Sequence, residues 1–248
     1  MDAAWLPVAV LALAGLSVLA YAIRALDLLG AAASFFLGLL IALLGGLTWI
    51  ALMVVFTALS VAATRIGYRT KKERAVAEPE GGERGVRNVM GNGAAAGMVV
   101  LATQFQGVPL LAVQLAYATA VAAVAADTMA SEIGVLSRKA RSILPPFRPV
   151  VAGVDGGVSL LGQGAAVLGA TLIALTAVPA IGIPLRLAWI PALAGFLGCQ
   201  IDSILGATLE GDAEHGRPLG KQDVNFLASL APAVGVLVAA SLAFPSTG

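Results

Sequence analysis

Charge is scarce in this chain: of its 248 residues only 12% are Asp, Glu, Lys or Arg, about half the share a soluble domain carries. Cysteine occurs once, at Cys199, which excludes an intrachain disulfide and any cysteine-rich metal site. Histidine also occurs once, at His215, and its rarity removes most zinc and haem chemistry. Cys199 reads as a packed thiol, and His215, close to Arg217 in a polar stretch, as a solvated side chain. Aromatics make up 6%, and a net charge of +1 offers no basic surface for nucleic acid.

What the chain has in abundance is apolar length. It is 59% hydrophobic with a mean hydropathy of +0.92. Apolar runs of about 17 to 22 residues recur, which is the length that crosses a hydrocarbon core as a helix. The expected fold class is all-α: a polytopic transmembrane helical bundle of about seven or eight spans. A β-barrel would show short alternating segments instead. Proline, glycine and charge divide the apolar stretches into 3–23, 28–44, 47–64, 90–105, 109–134, 158–178, 186–209 and 224–244. Residues 28–63 read either as two short spans hinged at Gly45-Gly46 or as a re-entrant hairpin. The opening Met-Asp-Ala-Ala-Trp lacks the basic region of a secretory signal, so the first span is expected to be retained. Residues 1–248 read as one integral membrane domain, with a mobile polar loop at 64–89 and a motif-bearing core at 84–225.

Orientation follows from charge. With the N-terminus outside, alternation of the spans puts every basic residue except Arg186 on the inner side, and every acidic residue except Asp2. The expected location is the cytoplasmic membrane, multi-pass, with the functional face toward the cytoplasm. A cysteine placed at Glu80 is then expected to be labelled from the cytoplasmic side.

Five polar clusters gather at that side: Arg84–Gly93, Asp127–Gly134, Asp155–Ser159, Asp202–Glu210 and Asp223–Asn225. Carboxylates at the end of an apolar span are costly to bury, which makes them site candidates by default. At about 100° per residue, Asp127, Ser131 and Gly134 share a helical stripe, while Glu132 points about 140° away. Either the helix loosens near Ser131 or Asp127 and Glu132 have different jobs. Asp202 and Glu210 are separated by about two turns. The economical arrangement pairs Asp127 with Asp202 across a helix interface. Two such carboxylates suit Mg²⁺ bridging phosphate oxygens, since magnesium takes one or two protein carboxylates and completes its shell with water and phosphate. The candidate metal ligands are Asp127, Asp202, Glu132 and Glu210.

Arg84, Arg87, Asn88, Asn92 and Gly93 open the fourth span as candidate phosphate ligands, because arginine grips phosphate and a helix N-terminus offers free N–H groups. Gly156, Gly157 and Ser159 form a glycine-rich entry without the Gly-Lys-Ser/Thr ending of a Walker loop. Ser131, Asp223 and Asn225 complete the candidate set, with N-capping as the other reading of Asp223 and Asn225. The basic residues Arg65–Arg74 read as topological charges facing anionic lipid. An internal echo also exists: Asp127-Thr128 and Asp202-Ser203 are each followed by a glutamate, and Asn92 and Asn225 open neighbouring spans.

The blocks Arg84-Gly-Val-Arg-Asn-Val-Met-Gly-Asn-Gly, Asp127-Thr-Met-Ala-Ser-Glu-Ile-Gly, Gly156-Gly-Val-Ser and Asp202-Ser-Ile-Leu-Gly-Ala-Thr-Leu-Glu resemble a family of integral membrane proteins that includes the plant phytyl-phosphate kinase. The chain departs from the family pattern at Asn88, Met129 and Lys221-Gln222. The resemblance implies transfer of the γ-phosphoryl group of a nucleoside triphosphate, CTP, to a prenyl monophosphate such as phytyl or geranylgeranyl phosphate. It implies catalytic roles for Asp127, Asp202, Arg87 and Glu132. Other readings are a cation- or proton-coupled transporter, a CTP-dependent lipid cytidylyltransferase and a lipid-binding protein. A transporter is expected to hold its carboxylates near the midplane, whereas these lie near inner ends.

Overall fold

The computed structural model describes residues 5–77, 83–211 and 217–245. Glu80 and His215 lie outside the described residues. Among the described residues the helices are α1 (Trp5–Ala22), α2 (Leu28–Leu44), α3 (Ile50–Arg65), α4 (Tyr68–Glu73), α5 (Val86–Leu101), α6 (Leu110–Gly134), α7 (Leu160–Ile181), α8 (Trp189–Leu209) and α9 (Lys221–Ala243). Short 3-10 turns lead into α3 and α8. Six stretches are long and apolar enough to cross a membrane. They are α1, α3 with its lead-in turn, α6, α7, α8 with its lead-in turn, and α9. The 17 residues of α2 and the 16 of α5 make shorter helices in the positions expected of spans.

The bundle is organised around α6. Its middle is a run of alanine and valine with no polar stripe, and a helix that is apolar all round belongs inside. It is buried from Ala112 to Ala126 except at Gln114. It packs against α3, α5, α7, α8 and α9. Small residues let these helices close in. A Cβ built on Gly195 of α8 would stand 2.8 Å from the Ala122 carbonyl carbon, and one on Gly169 of α7 would stand 2.9 Å from the Ala125 carbonyl oxygen. Gly195→Val is therefore expected to cost about 1–3 kcal/mol of stability, read as a lower thermal midpoint in detergent. An unchanged midpoint would show that the α6–α8 contact yields freely.

The stretch 28–63 resolves into two separate helices. Gly45 and Gly46 part them, with Gly46 at a φ of 115°, which a side chain rarely adopts. α2 packs chiefly on α1 and α5, while α3 turns to α6 and α7, so the two do not form a self-contained hairpin. The Trp49 ring stacks at 4.9 Å against Tyr117 of α6, whose hydroxyl donates to the Trp49 carbonyl at 2.9 Å.

Two features were not legible beforehand. The expected mobile loop at 64–89 contains α4, fixed by buried Lys71. The link between α6 and α7 folds into a small antiparallel sheet of β1 (Ala140–Ser142), β2 (Pro149–Val150) and β3 (Gly157–Val158), in the order β2-β1-β3. Ala140 pairs with Val150 and Arg141 with Pro149 and Val158. Strands this short fall below the length that alternating hydrophobicity reveals.

Candidate functional site

The C-terminal ends of α6 and α8 and the first turns of α7 and α9 meet around a cavity of about 280 Å³. Asp127, Ser131 and Gly134 line it from one face of α6, as their spacing requires. Asp202, Ser203, Gly206 and Glu210 line it from α8 and its end. The Asp127 and Asp202 side chains lie within hydrogen-bonding reach of one another. The predicted pairing across the helix interface is present.

Polar support lies below that pair. Asn92 of α5 and Asn225 of α9 are both buried, and the Asn225 amide donates to Asn92 Oδ1 at 3.1 Å. With its amide turned over, Asn225 donates instead to Asp202 Oδ2 at 3.2 Å and to the Lys221 carbonyl at 3.0 Å. Asn92 in turn donates to the carbonyl and side-chain oxygens of Asn88 at 2.9 and 3.0 Å. Asn88 thus belongs to the layer behind the carboxylates.

The opposite wall is the turn between β2 and β3. Gly156 has a φ of 70°, and a Cβ there would run into Ala207 and stand 3.0 Å from the Ser203 carbonyl. Only glycine lets this turn lie so close to α8. Gly156, Gly157 and Ser159 all line the cavity. The Ser159 hydroxyl caps α7, accepting from Gly162 N at 3.1 Å and reaching the Gly134 carbonyl at 3.2 Å, which ties α7 to the end of α6.

Several expected ligands stand elsewhere. α6 stays unbroken to Gly134, so Glu132 diverges from Asp127. Its carboxylate takes Lys71 Nζ at 2.6 Å and the Thr64 hydroxyl at 2.8 Å, with Arg84 at 3.6 Å. Glu132 touches the cavity edge, but both oxygens are committed, which removes it as a metal ligand. Among the described residues no three acidic, histidine or cysteine side chains converge on one point. Of the other three candidates, Glu210 lines the cavity with the facing pair Asp127 and Asp202. Arg84 turns in toward Glu132 and Thr64, near enough for its charge to act on Asp127. Arg87, in the first turn of α5, is exposed and does not line the cavity. Gly93 faces Leu37 and serves the packing of α5 on α2. Asp223 accepts from Gly220 N at 2.9 Å and caps the start of α9, the local alternative to ligand binding.

The residue that sequence reasoning missed is Lys221. It opens α9, lines the cavity, and its charge acts on Asp127, Asp202 and Glu210. A cation at a helix N-terminus runs against the helix dipole, and that misfit was the readable signal. Asp155, Gln163 and Ser203 also line the cavity without having been singled out individually.

Burial holds the Glu210 carboxyl above the ordinary carboxylate range; Asp155 raises it further, Lys221 opposes, and Asp127 adds a smaller push upward. The folded chain thus binds this proton more tightly than the unfolded one. The stability it contributes is complete below the ordinary glutamate value and is lost as pH rises through the raised one. Glu210→Gln is expected to flatten the fall of the thermal midpoint across that window. A slope equal to that of the parent would refute the assignment.

Comparison with known proteins places this geometry in context. The family described as Integral membrane protein DUF92 matches residues 11–233. A membrane protein of Methanocaldococcus jannaschii is 29% identical over 220 residues, covering 88% of each chain. Protein PGR of Arabidopsis thaliana is 36% identical over 213 residues, covering 77% of this chain and 74% of its own. Protein VTE6, chloroplastic, from the same plant, is 29% identical over 207 residues, covering 79% of this chain and 62% of its own. No solved structure gives a significant match.

Proposed function

The chain belongs to the DUF92 family of integral membrane proteins, and on that premise we propose that it is a membrane kinase acting on prenyl monophosphates. It transfers the γ-phosphoryl group of a nucleoside triphosphate, CTP by the family resemblance, to a phytyl or geranylgeranyl monophosphate and yields the diphosphate. The similarity to VTE6 supports a prenyl-phosphate substrate class. The observation that carries the reading is the facing pair Asp127 and Asp202 beside Lys221 on a polar cavity at one end of an apolar bundle.

The residues present fit Mg²⁺. Ionised carboxylates in contact repel one another, and a divalent cation between them relieves that repulsion. Two protein carboxylates with the rest of the shell from water and phosphate is the donor set magnesium prefers. When bound, the ion would neutralise phosphate charge on the triphosphate. Asp127 and Asp202 would hold it, with Asn225 orienting Asp202 from behind.

This chain's own groups supply the remainder. A phosphate monoester has a second pKa near 6, so its attacking oxygen is already anionic at neutral pH and requires no strong base. Lys221 stands where it offsets the charge of two polyanions brought together. Gly162 and Gln163 of the first turn of α7 line the cavity, with their backbone N–H groups given to Ser159, which fixes that wall. Asp127 lies about two turns from the end of α6, so a prenyl tail can lie among the helices while its head reaches the cavity. The excess of basic residues on the loops at this end supports a cytoplasmic position for the cavity, with the N-terminus outside.

The test is to incubate the purified protein in detergent with several prenyl monophosphates and each nucleoside triphosphate, and to identify both products by mass. A prenyl diphosphate with a nucleoside diphosphate is the expected pair. Pyrophosphate with a nucleotidyl lipid would establish cytidylyl transfer instead, and no turnover of any prenyl phosphate would sink the proposal.

A further inference from the structure

The segment linking α6 to α7 carries Arg138, Lys139, Arg141 and Arg148, and residues 135–154 contain no carboxylate. All four cations are exposed. Among the described residues none of them forms an ion pair; Arg141 reaches the Phe147 carbonyl at 3.4 Å and steadies the hairpin tip. The same hairpin exposes Phe147, Val151 and Val154, at 53%, 76% and 46%. Leu160, which follows at the start of α7, is 93% exposed.

Water accepts the cations and rejects the Phe and Val side chains, while hydrocarbon does the reverse. The boundary of an anionic bilayer accepts both, because headgroups pair with the cations and the apolar side chains enter just below them. The hairpin has no freedom to be far from that boundary. It leaves one membrane-spanning helix at Gly134 and joins the next at Leu160. Its other side is committed to the site: Ala140 is buried, and Ala140, Ala152, Gly153 and Gly157 line the cavity. Alternation along β1 then directs Arg141 outward.

We propose that the β1–β2 hairpin is a membrane-surface anchor. It docks through Arg138, Lys139, Arg141, Arg148, Phe147 and Val151 on the anionic lipid leaflet at the site's end of the bundle. One wall of the cavity therefore rests on lipid headgroups. The proposal does not depend on the reaction assigned above.

The test uses the full chain carrying Phe147→Cys labelled with an environment-sensitive fluorophore. Cys199 is buried, and the labelling of the unmodified chain is its control. The protein is reconstituted into phosphatidylcholine vesicles with or without phosphatidylglycerol, each also prepared with brominated acyl chains. The expected result is a blue shift and bromolipid quenching in the anionic vesicles. Both should fade in 1 M salt, where the Debye length falls to about 3 Å. They should also be lost when Arg138, Lys139 and Arg148 are changed to Gln, a variant that spares the Arg141 contact with the hairpin tip. Changing the same arginines to Lys should preserve them. Water-like emission in anionic vesicles overturns the proposal. So does insertion indifferent to the Gln changes, or emission that follows protein concentration rather than lipid charge, which would mark a second copy as the occupant.

Discussion

Asp127→Asn and Asp202→Asn are each expected to lower phosphoryl transfer by about 10²–10³-fold or more, the loss seen when a preorganised group at developing charge is removed. The substitution keeps shape and hydrogen-bonding capacity while deleting one of two facing charges. Stability should therefore move the other way. Each single variant replaces a carboxyl that is costly to bury with a neutral amide that can still hydrogen-bond its partner, so its thermal midpoint should equal or exceed that of the parent. Opposite signs for activity and stability separate a functional pair from a structural one. Parent-like turnover in both variants would discard the site. Equal losses of activity and midpoint would mark the aspartates as scaffold.

Lys71→Met has the largest expected effect on the fold. The Lys71 ammonium is buried and gives its hydrogen bonds to the Ala63 carbonyl at 2.7 Å, the Thr64 carbonyl at 3.2 Å and Glu132 Oε2 at 2.6 Å. It joins α4 to the last turn of α3 and to the end of α6. Removing it leaves Glu132 buried with Arg84 at 3.6 Å and the Thr64 hydroxyl as remaining support. Breaking a buried pair from one side costs about 3–5 kcal/mol; Arg84 places this case at the lower end. Lys71→Met combined with Glu132→Gln should recover a large part of that loss, since no uncompensated charge then stays buried. Chemical denaturation monitored by tryptophan fluorescence would read both. A single variant as stable as the parent would show that Arg84 suffices to hold Glu132.

Glu132 was a candidate metal ligand, with a job separate from that of Asp127 as the alternative, and it belongs to a latch with Lys71. Its neighbours Lys72 and Arg74 are exposed, and nothing local sets Lys71 apart from them. Its partner lies 61 residues away. By contrast, the Asp127, Ser131 and Gly134 stripe was legible because an unbroken helix repeats every 3.6 residues wherever it is placed. Lys221 was half legible, as a charge opposed to its helix dipole, but the carboxylates it faces come from another part of the chain.

By itself the sequence determined the class of protein, the existence of the long apolar helices and the end of the bundle where polar groups collect. Those follow from the length and apolarity of each segment, properties a helix carries alone. It also determined that Asp127 and Glu132 could not serve one ion on a continuous helix. Only the tertiary structure decided that Glu132 turns away to Lys71, that Lys221 faces the paired aspartates, and that β-strands wall the cavity. Close packing of α6 with α8 across glycine and alanine sets those distances. They belong to pairs of helices, and no single segment encodes them.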